Sequence, residues 1–413
     1  MRLSTRLPVR LALLATVQLG ASLLIAGPAP GDDHRPQPPA EALAHWPTAR
    51  GENSPVQIVA PMSDVVSERG QRARGLYFPG PQVRLKGAEG IARIVHAARM
   101  DAAVIDLKDG QGRVTYDSRI PVLQEQRRPF IPDLHALVRD LHAADVYAIA
   151  RIVCFSDPIM PARHLDRAVR DSRPVRHGRP WVSWGTGGTW LDPTNPDNQE
   201  LVKQIAVEAA EAGFDEVQLD YIRFPVDEGT RYAVFSGEDP TRRRRDVLID
   251  VLARVDDAIS IPIGVDVFGL TALRDGDPAG LGQSLGDWAA HVDVFTPMLY
   301  INNFRRWRRG TDNRAGSFVY AGTSTLRARL GPGPVIRPLL QAFRTGADHY
   351  DPPFIAEQVR AARTAGADGF LFWQPGGIYT LVTEAMRGVA RWMVPFPIDD
   401  RVAQRAASAH TPL

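Results

Sequence analysis

From Arg74 onward, short apolar runs alternate with longer segments in which apolar residues recur at helical spacing. The short runs are rich in β-branched and aromatic residues and are bounded by turn residues, as strands are. Eight such runs are predicted as strands: Gly75–Gly80, Ala102–Asp109, Val146–Phe155, Glu216–Pro225, Ile261–Gly269, Val292–Tyr300, Val335–Phe343 and Gly369–Pro375. Eight strands alternating with helices predict an α/β fold of the (β/α)8 TIM barrel type, with one catalytic-type domain.

The segments between the strands carry helix start signals. Asn195 is a capping residue, and the helix predicted over Pro196–Ala212 has Pro at its first position. Another helix is predicted to open at Asp239-Pro240, and a third spans Phe354–Ala365. An open doubly wound sheet is the alternative architecture, but no G-x-G-x-x-G motif follows the first strand.

Side-chain alternation sorts each strand into a face toward the helices and a face toward the barrel interior. On the second, fourth and fifth strands the apolar set suits the helix layer, so the polar set faces inward. The polar side chains predicted to meet at the C-terminal mouth are Asp106, Lys108, Asp220, Asp266, Tyr300 and Gln341. Any one of them could belong to a structural ion pair, but several acids at one mouth favour a functional site.

The longest predicted loop follows the third strand and runs from Ser156 to about Thr194. It holds Trp181, Trp184 and Trp190 beside a glycine-rich stretch. Two interpretations stay open: a lid whose indole rings stack on sugars, or a small core internal to the loop.

The N-terminus has the pattern of an export signal. Arg2, Arg6 and Arg10 precede the apolar stretch Leu11–Ala26, which is short for a spanning helix. We expect residues 1–30 to be a signal peptide or a membrane anchor and residues 31–70 to be a Pro-rich linker. The barrel is predicted over 71–394 with a tail over 395–413, and the protein is expected to be exported to the periplasm, cell envelope or extracellular space.

Composition narrows the function further. A net charge of +2 gives no reason to expect a nucleic-acid partner. Cys154 is the only cysteine, so no intrachain disulfide can form, and its apolar surroundings predict a buried small side chain. No His/Cys cluster has zinc-site spacing, and neither a metal nor a cofactor is predicted. A metal-dependent barrel enzyme has less support because no strand offers specific ligand spacing.

Nine segments, in order, resemble the glycoside hydrolase-like barrels of the bacterial DUF4015 family. They are Gly75–Tyr77, Val104–Asp109, Arg151–Phe155, Trp190–Pro193, Phe214–Pro225, Asp266–Gly269, Pro297–Tyr300, Arg337–Gln341 and Gly369–Trp373. The segment Phe214–Pro225 is the most specific. The resemblance implies hydrolysis of a polysaccharide or oligosaccharide, and the sequence departs from the family pattern at Asn302, Ala342 and Gln374.

Hydrolysis of a glycosidic bond needs one protonated and one ionised carboxyl group. Asp220 is predicted to be ionised, with Arg223 helping if the strand bends, and Asp266 to be the general acid. Asp106 is the alternative acid, although Lys108 is expected to lower its pKa. The predicted substrate contacts are Lys108, Arg151, Gln218, Arg223, Tyr300, Gln341, Trp373, Trp184 and Trp190. The alternative function is a non-catalytic glycan-binding barrel.

Overall fold

The computed structural model describes residues 65–183, 188–226, 229–274, 277, 280–304, 307 and 313–388. The predicted signal, most of the linker, Trp184 and the C-terminal tail lie outside these residues and stay predictions. Among the helices of the described ranges, none combines the length and the apolar character that crossing a membrane requires.

Eight parallel strands close on themselves. In chain order they are β1 Arg74–Phe78, β2 Ala102–Lys108, β3 Tyr147–Val153, β4 Glu216–Asp220, β5 Ile263–Phe268, β6 Val294–Met298, β7 Val335–Ile336 with Leu339–Gln341, and β8 Phe370–Trp373. Each pairs with its sequence neighbours, and β1 pairs with both β2 and β8. The predicted TIM barrel is confirmed.

Helices follow the strands around the barrel. They are α1 Gly80–Ala97, α2 Leu134–Ala143, α3 Pro196–Glu211, α4 Arg244–Asp256, α5 Leu285–Trp288, α6 Arg314–Leu330, α7 Pro352–Thr364 and α8 Thr380–Arg387. Two further short helices are present: Glu68–Gln71 precedes β1, and Gly269–Leu273 follows β5. Asn195 caps α3 as expected, through bonds from the amides of Asp197 and Asn198.

The helix expected from Asp239 begins instead at Arg244. Asp239 accepts hydrogen bonds from the backbone amide and hydroxyl of Thr241, both through Oδ1. These bonds stabilise a turn that competes with helical backbone, so the capping residue starts a loop rather than a helix.

The alternation of inward and outward side chains matches the prediction. Ala103, Ile105 and Leu107 on β2 pack in the large apolar cluster beneath the helices. Val104 instead belongs to a second cluster inside the barrel, together with Tyr77 and Trp373. The single cysteine, Cys154, is buried as expected.

Strand β4 ends sooner than predicted. Tyr221 has a φ of 51°, in the left-handed region that a bulky side chain seldom adopts. The chain therefore turns directly after Asp220, and the predicted strand residues beyond it form a loop at the mouth.

The opposite end of the barrel is closed by a structural ion pair. The carboxylate of Glu216, at the start of β4, accepts hydrogen bonds from Nη2 of Arg337, and both side chains are buried. The Tyr147 hydroxyl lies 3.3 Å from the same carboxylate. An inward charge in this barrel is therefore not by itself a functional residue.

Candidate active site

The three predicted acids meet around Arg151, a buried inward residue of β3. Its Nη1 lies 2.5 Å from Oδ1 of Asp106, its Nη2 contacts Oδ2 of Asp220, and its Nε lies 3.8 Å from Oδ2 of Asp266. Arg151 is paired in register with Asp106 on β2 and with Gln218 on β4. The three acids therefore converge at the mouth, as the alternation of side chains along the strands predicts.

Two aromatic rings form the wall beside this guanidinium. Tyr77 and Trp373 stack with centroids 3.9 Å apart, and the Arg151 guanidinium lies 4.7 Å from the Trp373 ring centroid. The Tyr77 hydroxyl donates to Oδ2 of Asp106 at 2.5 Å. Sequence reasoning assigned no role to Tyr77, although its inward parity near the end of β1 was a usable signal.

The charges at the mouth do not balance if every acid is ionised. Three carboxylates and one guanidinium would leave a buried net charge of −2, and burying unpaired charge costs several kcal/mol. Burial and the charge of Asp220 raise the pKa of Asp266 well above its usual range, and Arg151 offsets part of that rise. The surroundings of Asp266 therefore favour its protonated form.

The hydrogen bonds of Asp266 suit a proton donor. Gln218 donates to its Oδ1 at 2.5 Å, whereas its Oδ2 has no hydrogen-bond partner among the residues that the structure describes. Gln283 donates to the backbone oxygen of Asp266 at 3.2 Å and so helps to hold this part of β5. Gln218 thus orients the acid, a role that was not predicted.

Asp220 has the opposite surroundings. Its Oδ2 accepts from Arg151 and its Oδ1 accepts from the Tyr221 amide at 2.6 Å. These two donors, one of them cationic, stabilise a negative charge on the carboxylate. The sharp turn at Tyr221 supplies the second donor, so backbone strain and charge stabilisation occur at the same point.

The prediction that Lys108 lowers the pKa of Asp106 is wrong. Burial raises the pKa of Asp106 to about 6, and the nearby Arg151 and Tyr77 offset part of this rise. The register of β2 shifts between Asp106 and Lys108. Lys108 instead lies with Nζ 3.0 Å from Oδ2 of the buried Asp157 and donates to the Val153 carbonyl.

Arg223 does not provide the expected cation for Asp220. Its guanidinium lies over the rings of Trp190 and Tyr221, at 4.7 and 5.1 Å, and donates to the Phe224 carbonyl. The cation that contacts Asp220 is Arg151.

The lid interpretation of the tryptophans fails for the two that are described. Trp181 and Trp190 are at most 2% exposed and belong to the main apolar cluster, so they form the core of the loop. Trp184 lies outside the described residues.

Tyr300 and Gln341, two further predicted substrate contacts, have different surroundings at the mouth. Tyr300 is buried and packs edge-on against Phe343, with centroids 5.7 Å apart. Burial and the charges of Asp266 and Asp220 raise the pKa of its hydroxyl, which therefore stays protonated near both acids. The Gln341 side-chain amide donates to the Phe343 and Thr345 carbonyls, and its oxygen accepts from the Asn302 backbone amide. These bonds stabilise the loops that follow β6 and β7.

The structure describes all three positions at which the sequence departs from the family pattern. Ala342 is buried in the cluster beneath the helices rather than at the mouth. Gln374 accepts hydrogen bonds from the Gly376 and Ile378 amides and so shapes the turn after β8. Within the described part of the chain, no group of three or more His, Cys, Asp or Glu side chains is placed to hold a metal ion.

The raised pKa of Asp106 predicts a pH-dependent stability. Between about pH 4 and pH 6 the folded state binds the Asp106 proton that the unfolded state has released, so the free energy of unfolding falls as pH rises. A shift of about two pKa units corresponds to a loss of up to about 3 kcal/mol. Urea unfolding across this range should show a shallower fall in Asp106→Asn than in wild type. Equal pH slopes in the two proteins would contradict the assignment.

Comparison with known proteins identifies the family to which the barrel belongs. The profile of the family DUF4015, described as "Putative glycosyl hydrolase domain", matches residues 75–379. No curated protein matches the sequence.

Two solved structures with TM-scores above 0.5 share the fold, and a third matches less than half of this chain. The glycoside hydrolase domain of PgaB (BpsB) from Bordetella bronchiseptica has a TM-score of 0.56 at 16% identity, over 77% of this chain and 98% of that one. Alpha-L-fucosidase isoenzyme 2 from Paenibacillus thiaminolyticus has a TM-score of 0.54 at 14% identity, over 77% and 49%. A hypothetical protein from Ruminiclostridium thermocellum is 28% identical over 46% and 97%, with a TM-score of 0.41. Identities of 14–16% show a shared fold alone.

Proposed function

The chain belongs to the DUF4015 family of glycosyl hydrolase domains, and from that premise we propose that it is an exported enzyme that cleaves O-glycosidic bonds of a bacterial envelope or extracellular polysaccharide by a two-carboxylate mechanism. One observation carries the proposal. Asp220 and Asp266 extend inward from neighbouring strands toward one guanidinium, and their surroundings favour opposite protonation states.

In the proposed mechanism, Asp266 donates its proton to the glycosidic oxygen. The bond between the anomeric carbon and that oxygen breaks, and its electron pair stays on the leaving oxygen, which the proton neutralises. Asp266 then carries the negative charge, which Arg151, 3.8 Å from Oδ2, would stabilise. The ionised Asp220 either takes a proton from a water that attacks the anomeric carbon, or attacks that carbon itself; in the second case water then breaks the glycosyl–Asp220 bond and gives its proton to Asp266.

The neighbouring groups have supporting roles. Asp106 fixes Arg151 through a 2.5 Å contact and is itself fixed by the Tyr77 hydroxyl. Trp373 holds the other side of the guanidinium, and Tyr300 offers a protonated hydroxyl close to both acids. These groups hold the reacting carboxylates in place before substrate binds, which is the condition for efficient electrostatic catalysis.

The proposed substrate is a bacterial envelope or extracellular polysaccharide. The basic residues Arg2, Arg6 and Arg10 followed by the apolar stretch Leu11–Ala26 favour export, whether the segment is cleaved or kept as a membrane anchor. A hydrolase needs neither ATP nor a nicotinamide cofactor, which suits work outside the cytoplasm.

Reducing-end release from a panel of bacterial envelope and capsular polysaccharides, including amino-sugar polymers, tests the proposal. We expect the purified protein to release reducing ends from at least one polymer, and the Asp266→Asn variant to release about 10²–10⁴-fold fewer per unit time because it lacks the general acid. Equal release by wild type and Asp266→Asn would contradict the mechanism.

A non-catalytic glycan-binding barrel is the second candidate. The specific observation in its favour is that Arg151 contacts Asp106 and Asp220 directly, as in a structural ion-pair network. Glycan binding that survives the double change Asp220→Asn and Asp266→Asn, with no reducing ends released by wild type, would favour this function.

A further inference from the structure

The positive charge of the chain is concentrated in two loops at the mouth of the barrel. Residues 163–179 follow β3, and residues 231–245 follow β4 and include the first two residues of α4; we call these 32 residues the arginine cap. They contain 11 arginines and four acidic side chains, whereas the rest of the chain has 38 basic and 43 acidic side chains. A general preference for arginine would spread the charge, so its concentration at one end requires another explanation.

The two loops of the cap fold together as one surface. Arg170 and Asp171 pair antiparallel with Val234 and Ala233, and Arg170 also forms a bridge to Pro180. This small sheet continues to the mouth, because the Val169 amide donates to the Trp190 carbonyl and the Leu191 amide donates to the Phe155 carbonyl. Phe155 lies two residues beyond β3, so the cap is attached directly to the rim of the site.

Part of the cap's charge is neutralised locally. Arg173 and Arg176 pair with Asp171 inside the cap, and Arg163 and Arg167 pair with Glu125 and Asp197 outside it. On the second loop, Arg242, Arg243 and Arg245 also have carboxylate partners.

Other guanidiniums of the cap have no carboxylate partner within the ranges that the structure describes. Arg170 and Arg179 are exposed and form no ion pair there. Arg244 lies over the rings of Phe224 and Phe235 and donates to the Gly280 carbonyl, so its charge is held in place without an acid. The cap therefore presents positive charge that its own acids do not cancel.

A further positive charge, the buried guanidinium of Arg223, lies between the cap and the catalytic residues at the mouth. This guanidinium lies over the rings of Trp190, whose carbonyl accepts from the Val169 amide, and Tyr221, whose amide donates to Asp220. The loops that follow β3 and β4 border the mouth that a glycan chain enters, because Asp220 ends β4 and Arg151, which contacts it, lies on β3.

We propose that the arginine cap binds acidic groups carried by the glycan, and that the substrate is an anionic polysaccharide with carboxylate or phosphate groups on its chain. This inference rests on the proposed function, because it assigns the substrate class of the same site. Guanidinium groups bind both carboxylate and phosphate through two parallel hydrogen bonds, so the cap suits either group.

Binding to the arginine cap can be tested separately from hydrolysis by measuring glycan affinity in a variant that does not turn over its substrate. Full-length Asp220→Asn protein would be titrated with oligogalacturonate, with a teichoic acid fragment and with a neutral cello-oligosaccharide. We expect one of the two acidic ligands to bind about tenfold or more tighter than the neutral one, and to weaken as salt rises from about 50 to about 300 mM. Preference for oligogalacturonate would identify carboxylate as the group bound, and preference for teichoic acid would identify phosphate.

Charge reversal at the cap provides the second arm. Adding Arg170→Glu and Arg179→Glu to the Asp220→Asn protein should weaken acidic-glycan binding about tenfold or more, without changing the melting temperature, because both side chains are exposed. The matched control reverses two exposed arginines on outer helices, Arg84 and Arg139, with the same change in net charge. Equal losses in the two double variants, or equal affinity for acidic and neutral glycans, would overturn the inference.

The remaining outcomes are also decisive. The cap exposes Val175, so anionic phospholipid vesicles are included as a competing ligand, and binding to vesicles but not to acidic glycans would overturn the inference. Selective binding of acidic glycan by a wild-type protein that releases no reducing ends would support the cap and contradict hydrolysis. Hydrolysis of neutral glycans alone would support the hydrolase and contradict the cap.

Discussion

Replacing Asp220 by asparagine is expected to reduce the rate of glycan hydrolysis by about 10³-fold or more, because the variant loses the ionised carboxylate that attacks or activates water. The change keeps the size of the side chain and one hydrogen-bond acceptor for the Tyr221 amide. We therefore expect a folded protein with a circular dichroism spectrum like that of wild type. The rate is measured as reducing ends released at saturating polysaccharide.

The matched control for Asp220 lies on the same strand. Glu216 also faces the barrel interior, but it lies at the opposite end and pairs with Arg337. Glu216→Gln breaks that pair and should lower the melting temperature while leaving kcat near the wild-type value. Full activity in Asp220→Asn, or equal loss of kcat in both variants, would show that Asp220 is not the reacting carboxylate.

Replacing Arg151 by methionine should cause the largest loss of stability of any single change at the mouth. The guanidinium contacts Asp106 and Asp220 and lies near Asp266, and all four side chains are buried. Breaking a buried ion pair by removing one partner costs about 3–5 kcal/mol, since the remaining charge is left without compensation. Urea unfolding at pH 7 measures the loss.

The loss of stability in Arg151→Met should shrink as pH falls. Below about pH 6 Asp106 takes up a proton and no longer needs the cation, and burial raises the pKa of Asp266 well above its usual range, so that its need for the cation also falls. Arg151→Lys should recover only part of the stability, because one ammonium group cannot bridge two carboxylates as the guanidinium does. A loss below about 1 kcal/mol at pH 7 would be the range of an exposed ion pair and would contradict a buried one.

The sequence was sufficient to predict which strands form the barrel and which side chains face inward. Periodicity alone distinguishes Leu107 and Leu219, which pack beneath the helices, from Asp220 and Asp266, which face the mouth. The prediction succeeds because the face on which a side chain lies depends only on its position along its own strand. The ion-pair or hydrogen-bond partner of a side chain within the mouth depends on the neighbouring strands.

The errors arose where backbone irregularities or non-local contacts decide the outcome. Lys108 was expected to lower the pKa of Asp106. The register shift between the two residues instead directs the ammonium group to Asp157, in the loop after β3. Arg223 was expected near Asp220, but the left-handed backbone at Tyr221 turns the chain and Arg151 takes that place. Nothing in the local sequence of Arg151 indicates that three acids from other strands surround it.

The division of roles between Asp220 and Asp266 is tested most directly by a pH titration of the carboxyl carbons of aspartate, labelled with ¹³C, in the unliganded protein. Signals are assigned by their loss in Asp220→Asn and in Asp266→Asn. The account predicts that the Asp266 signal is still that of a protonated carboxyl group at neutral pH while the Asp220 signal is that of a carboxylate. It also predicts that the pKa of Asp266 falls in Asp220→Asn, because the neighbouring negative charge is gone. An Asp266 signal that titrates near pH 4 in wild type, unchanged by the loss of Asp220, would contradict the account.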